Sequence, residues 1–466
     1  MVSTFGLCGP TFATRDPFWN QERVVNWYPA VDSSGGRAQS KAELSPTPGL
    51  TLFATLLGTS VRGLYTDAER LFAVSSGFVI EVFADGTSSN IGAILDAGTP
   101  VQIAANGQNL LIATANEIWE QPGAGVAVKV ADGISAVYLD GYYIILWPDR
   151  QTVQISNDGI NWDELDVAQR IWREPILRLE VHEGNLWLIG NRSISVWYNS
   201  GNADFPFEPI RGAVIEQGTL APWSVCQIEQ NLYWIGSDES GQGRVFRSEG
   251  YSPVRISNEA VEHILRQYLQ EGYAALGQDE RITGSGYEEN GHTFYVIGLP
   301  RAKACLVYDL TTNMWHERAG WDGTNWQFWK GGSHHAFVFG KHIVAPIGAG
   351  DGKIYEQNIN YYTEAGAPIR RYRAAPFVQA DQQWLFHHYL RLLVRENGTS
   401  VSLRYQNDDH TAWSALRTIA PFRNEVKYRR LGRGRSRMYE VSLTDSTTSA
   451  QAIVEGYLSA DPGVQR

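Results

Sequence analysis

Cysteine is scarce in this chain: Cys8, Cys226 and Cys305 are the only three in 466 residues. They stand far apart, with no CxxC and no Cys/His ligand spacing around them. That argues against a disulfide framework and a zinc site, and it reads as buried free thiols in a protein assembled in a reducing cytoplasm. No run of about 18 apolar residues occurs, so no helical membrane span is expected. Residues Met1 to Pro10 carry no basic stretch followed by an apolar one, so no secretory leader is expected there. Charged residues are only 19% of the chain against 43% apolar, which suits a large folded core rather than disorder. Phosphate-loop, dinucleotide, zincin and nucleophile-elbow motifs are all missing. His334-His335 and His387-His388 are adjacent pairs, and neighbours in a strand point to opposite faces, so neither pair chelates one ion easily. His316 and His342 have no carboxylate or Cys at ligand spacing. No catalytic, cofactor-binding or metal residue is assigned, and the chain is expected not to be an enzyme.

What the sequence does have is aromatics, 12% of the chain with 16 Trp and 22 Tyr. Broad flat side chains suit packed sheets. A repeat supports this. A turn, an apolar strand, a short polar link and a second apolar strand recur from Ala68, Asn106, Asp140, Glu183, Glu229, Glu289 and Phe339. Asn-Gly and Asp-Gly supply the positive φ of tight hairpins, and alternation such as Leu186, Leu188, Ile194 and Val196 puts one face of each strand inward. The spacing predicts an all-β fold, a β-propeller of six or seven blades in which each visible hairpin is half a blade. A β-sandwich with regular hairpins is the alternative.

YDLTTNMWHERAG from Tyr308 resembles a kelch-type blade ending, and ISNDGINWDE from Ile155 resembles an Asp-box hairpin. In both, the Asp bonds amides of its own turn while the Trp packs beneath. QNDDHTAWSA from Gln406 repeats the theme. The stretch from Asn258 to Tyr273 predicts one helix, with Val261, Ile264, Leu265, Tyr268 and Leu269 on a single stripe. Ser257 or Asn258 would cap it, Gly272 would stop it, and the propeller rim would receive it. Residues 1–60 read as an irregular N-terminal segment with a strand in RVVNWYPAVD from Arg23, closing the propeller or contacting a neighbouring ring. The propeller is expected over 61–378 and a small β-sandwich-like domain over 379–466.

Charge is uneven. Residues 367–440 hold fourteen Lys+Arg and six Asp+Glu, whereas residues 1–366 hold 24 against 41. This suits two docking faces of opposite sign, or ordinary solvated surface. Arg429, Arg430, Arg433, Arg435 and Arg437 form a candidate docking interface for an acidic surface through bidentate carboxylate pairs, or a charged edge strand guarded against aggregation.

The opening VVNWYPAVDSSGGRAQSKAELSPTPGLTLFATL, from Val24 to Leu56, resembles the N-x-Y-P … L-x-P-T-P-G-L opening of the packaged-DNA-stabilisation, or tail hub (nozzle), proteins of short-tailed phages. Asn26, Tyr28, Pro29, Pro46, Pro48, Gly49 and Leu50 carry the likeness, and LGRGRSRMYEVSLTD from Leu431 is similar to an arginine-bearing strand pair of that family. The resemblance implies a structural virion protein in a ring of itself, usually a hexamer, below the portal and its adaptor ring. It would continue the DNA channel and retain packaged DNA, which passes without sequence-specific binding. Tailspikes or fibres and a plug or needle would attach to it, and it would assemble in the bacterial host cytoplasm. It implies no catalytic residue, cofactor or membrane insertion. A propeller glycosidase or a carbohydrate-binding adhesin, presenting Trp326 and Trp329 to sugars, is the alternative.

Overall fold

Each repeat unit starts at the turn that ends the first strand of a propeller blade and supplies its second and third strands. In blade 1, Val61–Asp67 pairs with Arg70–Ser75, and the meander continues through Phe78–Val82 to Ser88–Ala93. Blade 2 runs from Gln102–Ala105 to Val128–Asp132, and blade 3 from Ser135–Leu139 to Val167–Ala168. Blade 4 runs from Ile176–His182 to Phe207–Ile215, and blade 5 from Cys226–Ile228 to Ser252–Arg255. Blade 6 comprises Thr283–Glu289, His292–Leu299, Ala304–Asp309 and Met314–Arg318. The computed structural model describes residues 2–4, 6–13, 21–31, 42–123, 125–162, 167–168, 174–237, 243–270, 281–348, 350–380, 383–395, 399–407, 412–445 and 449–462.

The first-to-second turns follow from local chemistry. At Asp140 (φ 51°) and Gly141 (φ 90°) both central residues are left-handed, the backbone of a hairpin turn whose twist matches its strands.

Blade 7 has three consecutive strands, His334–Val338, Lys341–Ala345 and Lys353–Asn358. Its fourth is Gly49–Thr55, antiparallel to Lys353–Asn358. An N-terminal strand thus covers what would be an open edge. The strand from Arg23 does not do this. Gln21–Val25 instead lies beside blade 6, with Val25 opposite Glu317, and pairs antiparallel with Arg370–Ala374.

Seven apolar cores, one at each joint between blades, hold the ring. Alternate residues of a second strand serve two joints. Leu110 and Ile112 pack with Phe72 and Val74 of blade 1, whereas Leu111 and Ala113 pack with Tyr143 and Ile145 of blade 3. The joint that closes the circle packs Ala336, Ile343 and Ile354 of blade 7 against Leu71, Ala73 and Ile80 of blade 1. The one-face-inward reading is therefore too simple. Leu186 and Leu188 face blade 3, and Trp187 and Ile189 face blade 5. Stacked blades cover both faces, so these strands are apolar almost without a break.

The helix, Glu259–Gln270, links blades 5 and 6. Asn258 caps it, its Oδ1 accepting from the Val261 amide at 3.0 Å. Val261 and Leu265 enter the core between blades 5 and 6, so it packs on the rim of its own propeller. Gly272, expected to end the helix, lies outside the described residues.

Two further sheets face each other across Trp27, Leu390, Leu392, Tyr428, Tyr439 and Val441. One runs Trp27–Val31, Ala42–Pro46, Ile453–Pro462, Leu385–Val394, Glu425–Arg429. The other extends the blade 6 sheet through Gln21–Val25, Arg370–Ala374, Ser436–Thr444, Val401–Asn407 and Arg417–Ile419. The sandwich therefore draws on both ends of the chain. The divisions at 60/61 and 378/379 do not follow the fold: residues 1–60 supply sandwich strands as well as the closing strand, and Val378–Gln379 pairs with Arg437 and Ser436 inside the sandwich. Strand partners hundreds of residues apart leave no local signal of that boundary.

Candidate functional site: a buried arginine seam, a narrow tunnel and a basic edge

Propeller and sandwich are stitched together by buried arginines. Arg371 and Asp445, both fully buried, pair at 2.6 Å. Arg371 also donates to the carbonyls of Asn26 and Thr47. Burial pulls the Arg371 pKa down and pushes that of Asp445 up, and each opposes the shift of the other. Arg373 donates to the carbonyls of Leu7 (2.6 Å) and Pro10 (2.8 Å) and pairs with Glu22 (2.8 Å). Arg318 lies 3.5 Å above the Trp329 ring and donates to Pro48 O (2.6 Å) and Gln357 Oε1 (3.1 Å). Arg23 grips Glu317 through two nitrogens at 2.7–3.0 Å, and that carboxylate raises its pKa.

The opening motif lies in this seam. Asn26, left-handed at φ 59°, bridges three segments. Its Nδ2 donates to Ala319 O and Arg370 O, both at 2.8 Å, and its Oδ1 accepts from Ala319 N at 3.1 Å. Tyr28 is buried edge-on against His292 and Phe294. Pro48 supplies the carbonyl held by Arg318. The sequence reading missed Arg318, Arg371 and Arg373 as the residues that join the two halves.

The propeller tunnel is lined by first strands. Two adjoining sections, of about 350 and 290 Å³, share Leu64, Val101 and Arg178. Arg178 pairs with Glu180 at 2.9 Å and lies 5.3 Å from the Trp223 ring. Glu180 is the acid on these walls. Such volumes are of small-molecule scale, and a duplex whose grooves are each roughly 8 Å deep cannot enter.

Of the five arginines assigned to docking, Arg429, Arg430, Arg433 and Arg435 are exposed. Arg433 and Arg435 lie over Trp384 at 4.9 and 5.0 Å. Arg437 must be removed from the set. It is fully buried, bonded to Asn407 Oδ1 (2.7 Å), Leu431 O (2.6 Å) and Arg433 O (3.0 Å), and stacked on Tyr405.

The turn motifs act as turns. Asp158 accepts from the amides of Ile160 and Asn161 at 2.8 Å, bonds that hold its pKa at about 2. Asp309 accepts from the Thr311 amide and His292, and Trp315 donates to Ile256 O. Asp408 and Asp409 of the third such stretch lie outside the described residues. Trp329 is buried, and half-buried Trp326 packs on Trp321 and Tyr372. Burial pushes the Cys8 and Cys305 thiols up to about 12. Among the described residues, no group of three or more His, Cys, Asp or Glu is placed to hold a metal ion, and no helix is long and apolar enough to cross a membrane.

Burial also keeps three histidines neutral, His316 and His335 at about 3 and His334 at about 4. Both ring nitrogens of His316 lack a hydrogen-bond partner among the described residues, with Phe294 and Tyr28 against the ring. Below the ordinary histidine value of about 6.5 the unfolded chain takes up protons that the folded chain refuses, so stability is full above that pH and falls below it. Each histidine steepens the fall by about 1.4 kcal/mol per pH unit. Urea unfolding between pH 7 and 4.5 should show His316→Met shallower than wild type by that increment.

A family model described as Bacteriophage P22 Gp10, beta-propeller, matches residues 11–351. The chain belongs to that phage propeller family. It is the phage stabilisation and tail hub family that the opening stretch resembles, and the matched residues run from the seam into blade 7. Solved structures with partial likeness include the N-terminal domain of Nup159 (8% identity, 67% of this chain and 95% of that one, TM-score 0.39). The Neurospora crassa Pan2 WD40 domain aligns at 8% identity over 66% of this chain and 95% of that one, TM-score 0.40. The extracellular domain of the putative hybrid two component system BT4673 from B. thetaiotaomicron aligns at 11% identity over 85% of this chain and 58% of that one, TM-score 0.42. These distant likenesses carry no weight for function. No curated protein matches the chain.

Proposed function

We propose that the protein is the tail hub, or nozzle, of a short-tailed phage. Copies of it form a ring, six by family resemblance, beneath the portal and its adaptor ring. The ring extends the DNA channel, retains packaged DNA, and carries the spikes or fibres and the plug or needle. The protein is a structural virion component, assembled in the host cytoplasm, and catalyses nothing. Membership of the phage propeller family over residues 11–351 carries this reading.

The geometry supports it in three ways. The tunnel of a single propeller is too small for a duplex, so a conduit has to lie between copies. The acid excess of residues 1–366 leaves phosphates without the Lys/Arg neutralisation that grips DNA, and a conduit must let DNA slide. Among the described residues, these tunnel sections have one acid on their walls, paired with Arg178, where glycoside hydrolysis needs two carboxylates. Particles grown without this protein should package DNA and then lose it on standing, and adding purified protein should restore retention. Particles that keep their DNA and fail only at adsorption would favour an adhesin.

A further inference from the structure

We propose that the basic edge of the sandwich docks head to tail on the acidic turn face of the propeller in a second copy of this chain. The proposal rests on the ring reading and names the surfaces that would meet in it.

The acidic face follows from topology. First strands run the same way along the tunnel, so the first-to-second turns and the third-to-fourth turns share one face. Contacts between blades agree. Asp140 in the blade 3 turn accepts from Asn199 at the end of the third strand of blade 4, at 3.1 Å. Glu229 of blade 5 accepts from Thr293 of blade 6 at 3.0 Å, and Glu289 of blade 6 from Gln357 of blade 7 at 3.1 Å. Glu69, Asp140, Glu183, Asp204, Glu229 and Glu288 are exposed there. Arg70 and Lys341, cations in the same turns, are already paired with Glu81 and Glu356 at 2.8 Å.

The complementary surface is a sheet edge. Glu425–Arg429 is the outermost strand of its sheet. Arg429, Arg430 and Arg433 are exposed and form no ion pair among the described residues. Opposite Arg433 across the strands, Phe386 is 42% exposed. Arginines beside an exposed aromatic, with a partner surface of opposite sign, have the composition of a protein interface. Lys427 sits 4.1 Å from the Tyr389 ring and Arg433 over Trp384, so cations cap the aromatic faces that a nucleic acid would need open for base stacking. The pairing uses different patches on the two copies, and such heterologous contacts generate rings when the rotation closes.

The full chain is tested by light scattering after gel filtration, at about 20 mM and about 0.5 M salt. One variant carries Arg429→Glu, Arg430→Glu and Arg433→Glu; the other carries Glu69→Lys, Glu183→Lys and Glu288→Lys. Wild type should self-associate at low salt and dissociate at high salt. Each variant alone should associate at least about a hundredfold more weakly, with an unchanged unfolding midpoint, and the mixture of the two should recover association because each restores the other's missing charge. Should a reversal disturb folding, the matching Gln series reads the same loss. A wild type monomeric at low salt, or a mixture no better than its components, overturns the pairing. So does an edge that binds a DNA duplex while self-association is absent. Association that ignores salt and both variants removes this pairing and leaves the ring reading standing.

Discussion

Arg371→Ala is expected to lower folding stability by about 3–5 kcal/mol, the cost of leaving one partner of a buried ion pair unpaired. Asp445 would remain buried without its counter-charge, and the carbonyls of Asn26 and Thr47 would lose the guanidinium that joins them. The double variant Arg371→Met with Asp445→Leu removes both charges and should recover most of the loss, because apolar replacements of similar volume often match a buried pair. Urea unfolding followed by tryptophan fluorescence measures both. A loss below about 1 kcal/mol for the single variant would show that the seam is not held by this pair.

Gly49→Val is expected to open the ring. Gly49 begins the closing strand and donates its amide to Tyr361 O at 3.0 Å. A Cβ there would stand 2.4 Å from Tyr361 O and 2.7 Å from Thr363 O. Those are backbone atoms, which cannot swing aside, so overpacking should cost about 3 kcal/mol. Displacing the strand would strip Lys353–Asn358 of its partner and leave an unpaired edge. Hydrogen exchange should accelerate at Tyr355 and Gln357 by about a hundredfold, consistent with that cost, while Tyr142–Leu146 in blade 3 stays protected. Unchanged exchange in blade 7 would mean that closure does not depend on this approach.

The blades were legible because their determinants are local. Each hairpin pairs residues a few positions apart, and turns such as Asp140-Gly141 and Asn290-Gly291 carry Gly, Asn or Asp where left-handed backbone is needed. The seam was not legible for the opposite reason. In Arg370-Arg371-Tyr372-Arg373 alternation places Arg371 and Arg373 on one face, but the bond from Arg371 to Asn26 spans 345 positions. Arginine is ordinarily a surface residue, so nothing nearby marked that face as interior. Arg437 went astray through a change of sheet. Arg433-Gly434 pairs with Phe386 and Leu385 in one sheet, and from Ser436 the chain pairs with Val401–Asn407 in the other. The crossing breaks the alternation that would have kept Arg433, Arg435 and Arg437 on one side. The opening motif identified the family, but the reason for its residues emerged only with their contacts: Asn26 bridges three segments, and Gly49 allows backbone to meet backbone.

Electron cryomicroscopy of intact virions bearing a small tag on this chain tests the central claim most directly. The account predicts tagged propellers in a closed ring on the tail axis, around a passage wide enough for a duplex between subunits. Tag density confined to peripheral fibres, or absent from particles that retain their DNA, would contradict it.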